Sequence, residues 1–136
     1  PYATEKDIQQ HSERCLGWKE LAARHKVAYV PCVAPGYNDV GVRPEKQNPP
    51  LARELSTDAT PGSLFRTSLQ HARMLVDENV DSLIMINSFN EWHEDTQIEP
   101  ANGETTSLPQ EITHGIEYHG YGELYLDILR EETLDV

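Results

Sequence analysis

The chain has 136 residues, with 11 Lys and Arg against 23 Asp and Glu, for a formal net charge of −12. The charge is uneven: 8 acidic and 10 basic side chains precede position 77, whereas 15 acidic residues and one basic residue, Arg130, follow from there. No basic cluster is available to neutralise phosphates, so nucleic acid is excluded as a partner, and no apolar run is long enough to insert through a bilayer.

The first element is a helix from Thr4 to about Lys26. Thr4 and Asp7 form a T-x-x-D capping pattern. Ile8, Cys15, Trp18 and Ala22 fall near one face, with Leu21 beside them. VAYVPCV (27–33) is short and β-branched and is bounded by Pro35-Gly36, which marks a strand. Its low polarity predicts a strand covered on both faces, as in parallel sheets. Cys15 and Cys32 are the full cysteine count, too few for a disulfide framework, and both are expected as buried thiols.

Residues 34–60 form a long connection with four prolines, and ordered loops of that length are usually functional. Thr60 then reads as an N-cap with Pro61 at the first helical position. Leu64, Phe65, Leu69, Ala72, Leu75 and Val76 make a helical stripe to about Glu78. Leu83 to Ile86 is a second buried strand. A polar loop with Gly103, Pro109, Gly115, Gly120 and Gly122 follows, and Leu124, Tyr125, Ile128 and Leu129 mark a last helix over about 123–132.

Helix, strand, loop, helix, strand, loop, helix is an α/β order with parallel strands and flanking helices. Ligands in such folds bind beyond the C-terminal ends of the strands. That rule places Gly36–Arg43 and Asn87–Pro100 on one face. Two strands do not close a sheet, and a complete (β/α)8 barrel of the TIM type takes about 250 residues. The expected architecture is therefore a single partial domain over 1–136, the C-terminal part of such a barrel, with the N-terminal strands missing.

The densest chemistry lies in NSFNEWHEDTQIEP (87–100). His93-Glu94 opens an H-E-x-x-H pattern, but Gln97 occupies the fifth position, so the zinc-protease reading fails. His71, His93, His114 and His119 lack tight ligand spacing, and no metal is expected. Glu91 and Glu94 are a candidate acid pair. Glycosidic cleavage needs one carboxyl to protonate the leaving oxygen and another to act as base or nucleophile. Trp92 and Phe89 offer flat surfaces for sugar rings, and the amides of Asn90 and Gln97 can read hydroxyls. Spacing alone equally allows a solvated acidic loop with Trp92 packed inward. Tyr37 and Asp39, in PGYND, read alone as a turn.

Two of these segments carry a resemblance. S-F-N-E-W-H-E-x-T-Q-I-E over 88–99 is similar to the signature of glycoside hydrolase family 99, the endo-α-1,2-mannosidases. P-G-Y-x-D at 35–39, with Val42-Arg43-Pro44 after it, resembles a second family segment, and the final Leu124-Tyr125-Leu126 helix resembles the family's last one. The resemblance implies a (β/α) barrel enzyme without cofactor or metal that cleaves within mannose-containing oligosaccharides or polysaccharides, with retention. It implies that Glu91 deprotonates the mannose 2-hydroxyl, which attacks its own anomeric carbon, and that Glu94 acts as acid and then base. Tyr37, Asn90, Trp92 and His93 become expected substrate contacts. Two positions depart from the family. Asp95 stands where Gly is common and adds a negative charge beside Glu94, and Glu45 stands where Trp often follows Arg-Pro. A WbsX-like barrel enzyme of polysaccharide assembly, with its N-E-W-x-E-G-T pattern, and a glycan-binding domain without turnover are the alternatives. The Q-I-E-P ending and His93 favour the mannosidase side. The compartment is left open by the sequence.

Overall fold

Thr4 caps the first helix in both directions. Its hydroxyl accepts from Asp7 N (3.2 Å), and Asp7 Oδ2 accepts from Thr4 N (2.8 Å). The pair satisfies donors that a helix start leaves open, and hydrogen bonds to the Asp7 carboxylate, first from the Thr4 hydroxyl (2.6 Å) and then from Thr4 N, hold it below its ordinary pKa. The computed structural model describes residues 1–46, 48–102 and 120–134, and in it this helix, α1, runs Glu5–Arg24. Ile8 and Cys15 are buried as expected, but Trp18 (54% exposed) and Leu21 (49%) are not. The helix is covered along a narrow line only, next to the second helix, where Lys19 Nζ donates to the Val76 carbonyl at 2.7 Å.

The two strands are far shorter than the sequence suggests. β1 is Cys32–Val33 and β2 is Met85–Ile86, paired in parallel with Cys32 opposite Met85 and Val33 opposite Ile86. Pro31 has no N–H to donate, so its carbonyl starts the ladder by accepting from Met85 N at 2.9 Å. Upstream, Tyr29 N turns to the Asp77 carboxylate at 3.4 Å. The α/β order with parallel strands therefore stands, but coverage of both faces does not. Val33 is 7% exposed and Ile86 half-buried, while Cys32 is exposed and Met85 is 57% exposed. α2 and α3 pack on the Val33 side, while Cys32 and Met85 keep solvent access, with Cys32 lining a cavity beside α1. Of the two thiols expected inside, only Cys15 is buried; both are free.

The second helix, α2, runs Ser63–Arg73 and starts at Gly62 rather than at Thr60. Gly62 has φ 78°, and a Cβ there would stand 2.4 Å from Ile128 Cδ1. The close approach of the third helix, α3 (Leu124–Leu134), thus decides where α2 begins. It also ends early, because Asp77 caps a separate 3-10 turn, Glu78–Val80, by accepting from Asn79 N at 2.9 Å.

Phe65, Leu69 and Ala72 of α2 pack with Tyr125 and Ile128 of α3, Val33 of β1 and Ile98. Phe65 and Tyr125 meet edge to face, with centroids 5.7 Å apart. Each large side chain sealed here contributes about 1.5–3 kcal/mol. Ion pairs from Arg66 to Glu132 (2.7 Å) and Glu131 (2.6 Å) flank the same helix pair. The long connection folds back on itself, with Tyr37 and Leu51 exchanging backbone hydrogen bonds of 3.0 and 2.7 Å. The loop expected at Gly103, Pro109 and Gly115, with His114 and His119, lies outside the described residues.

Candidate active site

Both segments singled out by the sequence follow the C-terminal ends of the parallel strands. Beyond β2 the backbone makes a one-turn 3-10 helix, Trp92–Glu94, with Glu91 as its N-cap. Glu91 Oε1 accepts from His93 N at 3.0 Å and lies 3.2 Å from His93 Nδ1. Glu91 therefore holds its own turn while keeping its side chain 45% exposed. Ser88 Oγ accepts from Glu91 N (2.8 Å) and meets Thr96 Oγ1 (3.0 Å), which closes the base of the loop.

Glu94 is less open, at 29% side-chain exposure. The segment after β1 reaches it twice: Asn38 N donates to the Glu94 carbonyl at 2.8 Å, and Arg43 Nη1 donates to Glu94 Oε1 at 2.7 Å. Arg43 Nη1 also lies 3.3 Å from Asp39 Oδ2, which accepts from Asn48 Nδ2 at 2.8 Å. Burial works to raise the Asp39 pKa, but hydrogen bonds from Asn48, Tyr37 and Arg43 outweigh it, and the pKa falls below its ordinary value. The Tyr37 hydroxyl is shifted upward, first by hydrogen bonding to Asp39, then by desolvation and by the charges of Asp39 and Glu94, with Arg43 opposing. Tyr37, Asp39, Arg43 and Glu94 thus form one electrostatic cluster built from two loops. Hydrogen bonds to both carboxylates raise the Arg43 pKa further above its already high value.

The remaining candidates are distributed differently. Trp92 Nε1 donates to Glu99 Oε2 at 3.0 Å, and its ring is half-buried. Asn90, His93 and Phe89 are exposed. Gln97, read above as an amide for sugar hydroxyls, is instead buried at 3% exposure with its Nε2 3.3 Å from Asp95 Oδ1. Asp95 adopts a left-handed backbone, at φ 49° and ψ 42°. Its carboxylate turns to Arg53 Nη2 at 2.9 Å, away from the Arg43–Glu94 pair.

Sequence reasoning missed both arginines as parts of the site. Arg43 had a signal, since it lies four residues after Asp39, a spacing that allows an ion pair. Arg53, within LARELS, had none. Among the described residues, no three His, Cys, Asp or Glu side chains converge as metal ligands do. A cavity of about 420 Å³ lies elsewhere, between α1, α2 and β1, lined largely by apolar side chains such as Ile8, Leu64 and Leu75 and by none of the six candidate residues.

The family profile described as Glycosyl hydrolase family 99 matches residues 6–134. The chain belongs to this family. Similarity to individual family 99 proteins runs along most of the chain. The glycoprotein endo-alpha-1,2-mannosidase of Rattus norvegicus is 33% identical over 115 residues, 83% of this chain and 22% of that protein. A glycoprotein endo-alpha-1,2-mannosidase-like protein of Danio rerio is 38% identical over 87 residues, 62% of this chain and 17% of that protein. Among solved structures, a family 99 endo-alpha-mannosidase of Bacteroides thetaiotaomicron, in complex with bis-tris-propane, superimposes with a TM-score of 0.64 at 27% identity. That match covers 98% of this chain and 40% of the other. The chain spans about a fifth of the length of the curated relatives it matches.

Proposed function

We propose that this chain carries the acid pair of a glycoside hydrolase that cleaves internal α-mannosidic linkages with retention, through participation of the neighbouring 2-hydroxyl. The observation that carries the reading is positional. Glu91 and Glu94 stand three residues apart on a single turn beyond parallel β2, and the loop beyond β1 brings Tyr37 and Arg43 against Glu94. Both carboxylates keep solvent access.

In this reaction Glu91 takes the proton of the mannose 2-hydroxyl. The 2-oxygen then bonds to the anomeric carbon as the glycosidic C–O bond breaks, and Glu94 gives its proton to the leaving oxygen. Water next attacks the anomeric carbon and yields its proton to Glu94, while the 2-oxygen recovers a proton from Glu91 as the three-membered ring opens. Two inversions at one carbon give net retention. Trp92, Asn90 and His93 are the sugar contacts in this reading, and the substrate is a mannose-containing oligosaccharide or polysaccharide. The endo-alpha-mannosidases named above support that choice.

We also propose that residues 1–136 are the C-terminal section of a (β/α)8 barrel. The exposed Cys32–Met85 face supports this, because an apolar sheet face open to solvent fits the inner face of a barrel that further strands would cover.

The test is Glu94→Gln and Glu91→Gln in the full-length protein. Glu94→Gln should lose activity on a mannan oligosaccharide but retain part of it on an aryl mannoside with a good leaving group, and Glu91→Gln should lose both. Equal loss on both substrates for Glu94→Gln removes it as the acid. Titration of the unmodified protein with a mannobiose, with binding and no cleavage, would make it a glycan-binding protein instead.

A further inference from the structure

We infer that Arg43 is a positioning residue for Glu94, an inference that rests on Glu94 being the proton donor. Arg43 does not need to touch the sugar to act. Its Nη1 takes Glu94 Oε1 at 2.7 Å, while the other carboxyl oxygen, Oε2, receives no hydrogen bond from the described residues. A carboxyl that first gives and later takes a proton does so through one oxygen, and that oxygen must face the same point in both steps. Pinning Oε1 restricts rotation of the carboxyl and leaves Oε2 for the exchange.

The anchor beneath Arg43 is built rather than incidental. Asp39 is 1% exposed, and the Arg43 guanidinium lies 3.3 Å from its Oδ2. The same Asp39 accepts the Arg43 backbone N–H at its carbonyl (2.8 Å) and the Asn48 amide at Oδ2 (2.8 Å). The guanidinium is therefore held from its own segment before it meets Glu94, 51 residues further along the chain. Asn38 N, one residue before Asp39, grips the Glu94 backbone carbonyl at 2.8 Å. Backbone and side chain of Glu94 are thus both registered against residues 38–43. A lysine ammonium is a point charge on a flexible stem and holds Oε1 less firmly than a guanidinium whose Nη1 is already anchored at Asp39.

The experiment compares Arg43→Met, Arg43→Lys and Glu94→Gln in the full-length protein, with kcat and KM on the mannan oligosaccharide and on the aryl mannoside. Misplacing the acid should lower kcat on the oligosaccharide by a factor on the order of 10². It should spare the aryl substrate, whose leaving group needs no proton, and leave KM nearly unchanged. Arg43→Lys should fall between Arg43→Met and the unmodified protein. Equal losses on both substrates would make Arg43 a purely structural residue, and a raised KM with unchanged kcat would make it a sugar contact; either result overturns the inference. If Arg43→Met fails to fold, Arg43→Lys and Asp39→Asn must show the same selective loss, and its absence in both overturns the inference too. Glu94→Gln separates the two layers. If it shows no leaving-group dependence, the acid assignment falls and the Arg43 role with it. If it does and the Arg43 variants do not, only the Arg43 role falls.

Discussion

Arg53 and Asp95 form an ion pair, Nη2 to Oδ1 at 2.9 Å, in which the cation is sealed (2% side-chain exposure) and the anion is partly open (27%). The same guanidinium donates to the Asp95 and Gln97 carbonyls at 3.0 Å each and lies 4.6 and 4.8 Å from the ring centres of Tyr121 and Tyr125. Gly36 makes room for it, since a Cβ there would fall 2.6 Å from Arg53 Cγ. One buried arginine thereby joins the turn after β1, the loop after β2 and the start of α3. Burial opposes its charge, but Asp95 and Tyr125 together outweigh it, and the Arg53 pKa is raised.

This pair gives Asp95 a structural partner, so that losing its carboxylate alone is costly. Asp95→Gly relieves a left-handed backbone worth about 1–2 kcal/mol. It also strips a buried cation of its partner, which costs about 3–5 kcal/mol. We expect a net loss of about 2 kcal/mol in urea unfolding. Adding Arg53→Met should recover part of it, with a coupling of about 1–3 kcal/mol. Additive single effects would show that the pair does not matter to the loop.

Gly62→Ala should destabilise more than a surface glycine does. The left-handed φ costs about 1–2 kcal/mol, and the added methyl enters the space of Ile128 Cδ1, an overpacking worth about 1–3 kcal/mol. Gly17→Ala, with nothing within 4 Å of the added carbon, is the control and should be neutral or stabilising in the α1 interior. Equal melting temperatures for the two variants would contradict the packing of α2 on α3.

His11 gives the fold a pH dependence. Its ring, 3.4 Å from Cys15 Sγ, has its pKa lowered below 6.5, first by partial desolvation and then by the charge of Arg14. The unfolded chain therefore binds this proton more readily than the folded one. The His11 contribution is fully present above pH 6.5 and is lost as pH falls from there through the depressed folded value. Denaturation curves between pH 7.5 and 5 should show this loss, and His11→Gln should reduce it. An NMR midpoint for His11 at 6.5 would remove this dependence, and one above 6.5 would reverse its sign.

Cys32 reports on the proposed barrel. In this chain alone it is exposed and Cys15 buried, so maleimide should modify Cys32 first. In the full-length protein the strands proposed to cover the Cys32–Met85 face should slow Cys32 at least to the rate of Cys15. Rapid labelling of Cys32 there would remove that cover.

The sequence by itself determined the α/β order, the capping of α1 by Thr4 and Asp7, the parallel relation of the strands and the family, through E-W-H-E and P-G-Y-x-D. These are local signals: capping patterns, hydrophobic period and contiguous motifs act within a few residues. What it misjudged depends on partners distant in the chain. Trp18 and Leu21 belong to an apolar stripe by period, yet cover on a helix face depends on what packs there. The strands shrank because Pro31 interrupts the donors and because pairing needs a neighbour. Only the tertiary structure decided that Glu94 is held by Arg43, that Asp95 answers Arg53 and that Gln97 turns inward. Charge pairs across 42 and 51 residues form when folding removes water from between them, and no spacing rule along a chain encodes that approach.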